Sequence, residues 1–281
     1  MLECIKELVK VDQSWIPAQH GYSLYIRPTL IGTQNSLGVS KSNSALLYVI
    51  SCPVGPYYKS GFDAVKLFAN TQYVRAFPGG TGAAKIGGNY APCIKPQAEA
   101  AEKGYAQNLW LFGPSHEITE VGTMNLFTFW VNEQGGIATL FLNKKNGIQS
   151  SSFFFFFFFF AEKELITAPL DGTILPGVTR TSILELARQW NEFKVTERVY
   201  TMKEVSKAVQ EKRLIEMFGS GTAAIVSPVK AINYEGKDMA VPLDPSDSSS
   251  QAGKLTKRFA NTILGIQYGE IESDWSVVVP Q

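Results

Sequence analysis

Histidine and cysteine are scarce in this chain, and their scarcity removes several kinds of chemistry at once. With only His20 and His116 present, a histidine-rich metal centre and a Ser-His-Asp hydrolase are both disfavoured. Cys4, Cys52 and Cys93 form no close pair, so neither a disulfide framework nor a zinc site is indicated, and no metal is expected. No apolar run is long enough to span a bilayer. Charge of one sign is lacking too: the net charge is +1, and no run of Lys and Arg stands out as a nucleic-acid or membrane partner would require. Small molecules and copies of the chain itself are the expected partners.

A hydrophobic content of 45% over 281 residues provides for one large domain or two smaller ones. The opening MLECIKELVKVD has amphipathic helical spacing, and its acidic Glu3, Glu7 and Asp12 speak against a transit peptide. Strands are predicted over 22–31, 45–52, 65–69, 108–112, 117–120 and 124–131, with a short one at 223–226 after a loop GSGT. Helices are predicted over 96–103, from LPGVTR onward with an apolar face of Ile183, Leu184, Leu186 and Ala187, and over 199–209. Helices and strands interleave without the regular βαβ rhythm of a Rossmann fold. PVGPYYKSGF reads as a linker.

What the chain does have is a lysine framed by glycines, Lys85 in GGTGAAKIGGNY. Flanking glycines let the backbone approach a ligand. They also leave the ammonium little else to pack on, so we expect Lys85 to be desolvated and nucleophilic, suited to a Schiff base with an aldehyde cofactor. A solvated lysine in a glycine-rich turn is the plainer alternative on this stretch alone. Further motifs supply parts that pyridoxal phosphate chemistry needs. In EVGTMN, Glu120 can face a pyridine nitrogen. In LPGVTR, the amides of Val178 and Thr179 open a helix, whose N-terminus suits a phosphate. FGSGTAA offers the Thr222 hydroxyl, and Tyr90 a phenol for the ring oxygen. Singly each has a structural explanation, as a strand-end charge, a helix start or a turn.

Together with YIRPTLIG, GGNY, TEVGTMN, PLDGTILPGVTR, FGSGTA and IQYGEIESDW, they make the chain resemble the eukaryotic branched-chain amino acid aminotransferases, fold type IV pyridoxal phosphate enzymes. The resemblance covers nearly the whole chain apart from residues 137–161. It implies a mixed α+β fold with a nearly complete large C-terminal domain (66–281), an interdomain linker (55–65) and a remnant of the small N-terminal domain (1–54). Also implied are pyridoxal 5'-phosphate as cofactor, a homodimer, a cytoplasmic or mitochondrial setting, and amino-group exchange between leucine, isoleucine or valine and 2-oxoglutarate. Carried over residue by residue, Lys85 would hold the cofactor and serve as catalytic base. Tyr90 and Glu120 would hold the ring, Leu175 would pack on its face, and Val178, Thr179 and Thr222 would take the phosphate. Thr123 and the Ala223 amide would meet the substrate carboxylate, with Tyr25, Arg27 and Val39 lining the side-chain pocket.

Three departures accompany the match. Met1 aligns with the interior of the family's first domain, so the arginine that clamps the cofactor phosphate is missing. Where vertebrate members carry Cys-x-x-Cys after GSGTA, this chain has Ala224 and Ser227. Finally, residues 137–161 end in eight consecutive phenylalanines, Phe153 to Phe160. They read as a translated intron: phenylalanine codons make a pyrimidine tract, Ala161-Glu162 can contain the closing AG, and Gly136 the opening GT. Excision keeps the frame and leaves NEQGEKEL, a short hairpin. A D-amino acid aminotransferase, an aminodeoxychorismate lyase or a catalytically incompetent remnant are the competing readings.

Overall fold

The computed structural model describes residues 1–55, 62–133, 136–140, 156–160 and 162–280, the strands at 136–140 and 156–160 by backbone alone. The chain divides into two compact units, residues 1–61 with 269–281, and residues 62–268. The segment carrying the end of IQYGEIESDW therefore groups with the first unit, whereas the sequence reading kept it in the large domain. Of the expected linker at 55–65, residues 56–61 lie outside the described residues.

In the first unit, α1 (Leu2–Val11) is followed by β1 (Ser23–Gly32) and β2 (Ala45–Val54). The two strands pair antiparallel, Tyr25 opposite Cys52 and Arg27 opposite Ile50. Alternation puts Tyr25 and Arg27 on one face, and the Arg27 guanidinium sits 5.0 Å from the Tyr25 ring centroid. A two-stranded ribbon has no second layer of its own, so Leu30, Leu46, Leu47 and Ile50 are half or more exposed.

The second unit is built on a nine-stranded mixed sheet. Its elements are β3 (Val65–Asn70), α2 (Ile94–Glu102), β4 (Gln107–Phe112), β5 (Glu117–Val121) and β6 (Met124–Val131). After the hairpin β7 (Gly136–Leu140) and β8 (Phe156–Phe160), which pair with each other, come β9 (Lys163–Thr167), α3 (Val178–Trp190) and β10 (Lys194–Glu197). The chain continues through α4 (Met202–Gln210), β11 (Leu214–Gly221), β12 (Ile225–Tyr234), β13 (Lys237–Ala240) and α5 (Lys254–Gln267). The strand order is β10-β9-β6-β11-β12-β3-β4-β5, with β13 on β12. Parallel neighbours such as β3 and β12 sit beside antiparallel ones such as β6 and β11, giving the mixed α+β class expected.

Helices α3 and α5 bury their apolar stripes on this sheet. Ile183, Leu184, Leu186 and Ala187 meet Phe127, Phe218, Phe259 and Ile263 in one buried cluster, with Phe127 and Phe218 stacked at 5.2 Å. Glu216 reaches from β11 to the start of α5 and accepts from the Leu255 and Thr256 amides at 3.0 and 2.8 Å. A capping box of Thr201 and Glu204 starts α4, so this helix begins at Met202 and not at the predicted Val199. Two further expectations fail at one place. Gly219, Ser220 and Gly221 belong to β11 and not to a loop, because strand neighbours Val121 and Met124 pack directly over Gly219, where a Cβ would come within 2.9 Å. The predicted strand at 223–226 begins only at Ile225 and runs on to Tyr234.

Candidate active site

The large unit brings its candidate residues to one cavity of about 340 Å³, at the end of the sheet where β5, β6 and β11 meet α3. Lys85, Tyr90, Glu120, Thr123, Leu175, Val178, Thr179 and Thr222 all line it. Ala223 lies beside Thr222 in the turn between β11 and β12, a turn closed by Ile225 at φ 56. Tyr25, Arg27 and Val39 belong to the first unit, where Val39 is fully exposed between β1 and β2.

Each group is placed by a local device. The lysine loop is latched by Asn89, buried, which donates to the carbonyls of Thr81 and Ala84 at 2.7 Å and accepts from the Thr81 hydroxyl at 2.6 Å. Beyond that latch, Lys85 Nζ donates to Tyr90 Oη at 3.1 Å. Lys85 is exposed. The desolvation expected from its glycine setting is therefore not provided: glycines give backbone freedom but contribute no side chains that could cover the amine.

Glu120 is the opposite case. At the end of β5 it is 2% exposed, and Arg75 Nε lies 2.6 Å from its Oε2. Its Oε1 accepts the Leu175 amide at 2.6 Å and Asn125 Nδ2 at 3.1 Å. Burial pushes the carboxyl up to about 7, against the opposing pull of Arg75, the Leu175 amide and Lys85. Asn125 also donates to the Leu175 carbonyl at 2.8 Å, so Glu120 and Asn125 together fix the residue expected to pack on a ring face. The N-cap of α3 is Gly177, which makes no side-chain cap, so the first-turn amides at Val178 and Thr179 take no help from a neighbouring hydroxyl or carboxylate. Beside Asn125, its cross-strand partner Ser220 lines the cavity, and its buried Oγ has no hydrogen-bond partner among the described residues.

Sequence reasoning missed Arg75, Asn89, Asn125 and Ser220. Asn125 and Ser220 stood inside quoted motifs, and Asn89 inside GGNY; Arg75 stood in none. A second cavity, about 460 Å³, is lined by Glu133, Glu164, Arg198, Glu204 and Arg213 among others. These charges are largely spent on one another, Arg198 with Glu204 at 2.8 Å and Arg213 with Glu133 at 3.0 Å.

Comparison with known proteins bears on the family and the fold. The branched-chain-amino-acid aminotransferase of Dictyostelium discoideum is 55% identical over 280 residues, covering 99% of this chain and 66% of that protein. The mitochondrial enzyme of that name from Schizosaccharomyces pombe is 52% identical, covering 99% and 59%, and the cytosolic one from Mus musculus 48% identical, covering 100% and 65%. The chain thus spans 59% to 66% of the length of these relatives, which include both cytosolic and mitochondrial proteins. Among solved structures, the branched-chain amino acid aminotransferase of Escherichia coli superposes with a TM-score of 0.66 at 23% identity, covering 100% of this chain and 75% of that one. The enzyme of that name from Thermobaculum terrenum, in its PLP form, gives 0.58 at 19%, covering 95% and 71%. These likenesses establish the fold. Among the described residues, no helix is long and apolar enough to cross a membrane. Residues 2–232 match the amino-transferase class IV family, and the chain belongs to that family.

Proposed function

We propose that this protein, completed to the length of its relatives, transfers the amino group between leucine, isoleucine or valine and 2-oxoglutarate with pyridoxal 5'-phosphate, as a homodimer. The observation that carries this reading is the convergence of a lysine amine, a buried ion-paired carboxyl and the uncapped start of α3 on one cavity. The donor set fits the cofactor. A carboxyl near neutrality suits a ring nitrogen, helix amides and the Thr222 hydroxyl suit a phosphate dianion, and the buried Ser220 Oγ lacks a partner that a bound group can supply.

When bound, pyridoxal 5'-phosphate supplies a carbonyl carbon for amine exchange and an electron-withdrawing ring. The protein's part is positional and protonic. Lys85 Nζ would anchor the cofactor, then take the proton from the substrate α carbon and deliver it to the cofactor's carbonyl carbon. Tyr90, bonded to that amine, would hold the ring oxygen, and Glu120 would share a proton with the ring nitrogen. Leu175 would cover one ring face, while Val178, Thr179 and Thr222 would hold the phosphate. Thr123 and the Ala223 amide would orient the substrate carboxylate. Tyr25, Arg27 and Val39 would shape the side-chain pocket, with Arg27 as the rim charge for the longer acidic substrate.

A second reading, a chain that binds the cofactor poorly and scarcely turns over, is favoured by the exposure of Lys85 and of the apolar residues on β1 and β2. One experiment addresses both. Borohydride reduction in the presence of pyridoxal 5'-phosphate should fix the cofactor on Lys85 in a chain extended to the relatives' length, with leucine and 2-oxoglutarate exchanging nitrogen. The 281-residue chain should show weak fixation and little exchange. Equal fixation by Lys85→Ala would overturn the first reading, and full turnover by the unextended chain the second.

A further inference from the structure

Arg75 is a buried cation to which the reading above assigns no task. Its side chain is 4% exposed, and besides the 2.6 Å contact to Glu120 its Nη1 donates to the carbonyls of Gly82 and Thr173, each at 3.1 Å. These acceptors belong to three stretches far apart in sequence: the end of β5, the loop that carries Lys85, and the approach to α3. The seat is tight. A Cβ on Gly82 would collide with the Gly172 carbonyl oxygen and the Ala76 Cβ, so the lysine loop rests directly on the 172–173 backbone with the guanidinium stitching the two together.

We propose that Arg75 is a positioning residue for the transfer reaction, holding the lysine loop, Glu120 and the approach to α3 in one arrangement while favouring the ionised form of Glu120. This inference rests on the function proposed above. A buried carboxylate that loses its cation takes up a proton in preference to remaining charged and unpaired. The other groups facing Glu120 cannot replace Arg75. Lys85 is exposed and exerts the weakest of the three charge-favouring influences, the Leu175 amide is neutral, as is Asn125, and Cys93 brings no positive charge. A purely structural arginine would affect stability without moving the titration of one carboxyl.

The test uses the whole chain without added cofactor, so that it does not depend on turnover. Infrared spectroscopy with carboxyl-13C glutamate, referenced to Glu120→Gln, follows protonation of Glu120, and amide exchange follows residues 79–90. The Glu120 midpoint is expected near 7. Arg75→Gln should raise it by about 1–3 pH units and speed exchange across the lysine loop at least tenfold. Arg75→Lys keeps a charge but not the fork, so it should hold the midpoint within about one unit while still loosening the loop. A folded Arg75→Gln with an unmoved Glu120 midpoint overturns the proposal. If that variant does not fold, Arg75→Lys decides, and native exchange rates over 79–90 overturn it. Failure of cofactor fixation on Lys85 would instead strike the proposed function, leaving these two measurements unaffected.

Discussion

Removing residues 136–161 should stabilise the protein. Strands β6 and β9 are antiparallel neighbours ending at the pair Val131 and Lys163, and the Asn132 amide donates to the Glu162 carbonyl at 2.9 Å. The chain is therefore already closed on both sides of this stretch. Joining Gly135 to Glu162 leaves Glu133, Gln134 and Gly135 between bonded residues, a three-residue hairpin with glycine in the place that favours a left-handed backbone. Loop closure costs about (3/2)RT ln n, and replacing 133–161 by 133–135 shortens the connection roughly tenfold, a gain of about 2 kcal/mol. Loss of the β7–β8 pairing offsets little, since an isolated ribbon is marginal in water. Urea unfolding of the two chains should place the deletion variant about 1–2 kcal/mol higher, with sedimentation showing less self-association once the eight phenylalanines are gone. A lower unfolding midpoint for the deletion variant would refute the reasoning. Sequencing of the mature transcript is the parallel check, with messages that lack this stretch expected to dominate.

Three further outcomes follow from the site. Because Glu120 is raised from 4.5 to about 7 on folding, the folded state binds more protons in that window, so its contribution to stability is full below pH 4.5 and is lost as pH rises towards 7. Glu120→Gln should flatten that slope, worth about 3 kcal/mol overall, in unfolding curves measured from about pH 4.5 to 7.5. Lys85→Ala, at an exposed position, should change stability by no more than about 0.5 kcal/mol while abolishing borohydride fixation of the cofactor. Gly82→Ala places a methyl against the Gly172 carbonyl and Ala76, neither of which can swing away, and should cost about 1–3 kcal/mol in thermal melts.

The parts of the fold that follow from local pattern were legible in the residues. The apolar run of β6, the α3 stripe and the alternation of β1 all lie in contiguous sequence; β6 spans the residues read for it, the α3 stripe is buried as read, and β1 is shifted by one residue. What pattern does not carry is pairing across distance. Arg75 sits in Tyr-Val-Arg-Ala-Phe, which has no periodicity and no motif, and its meaning arises only when Glu120 and Thr173 are brought to it by the sheet. The glycines of GSG carry a turn signal in isolation, but β11 needs them small because Val121 and Met124 close over them. The amine of Lys85 misled in the converse way: glycine neighbours suggested burial, whereas cover must come from residues elsewhere in the chain.

The strand order has a consequence for synthesis. Strand β3 pairs on one side with β4, made soon after it, but on the other with β12, made last but one among the strands. During translation β3 and β6 each present an unpaired edge until β11 and β12 leave the ribosome, and Phe153 to Phe160 emerge within that interval. Open edges beside a β-prone aromatic run are the conditions under which nascent chains capture one another. Chaperone demand should accordingly fall when the phenylalanine stretch is absent, and nascent chains halted before residue 214 should be the ones held by chaperones.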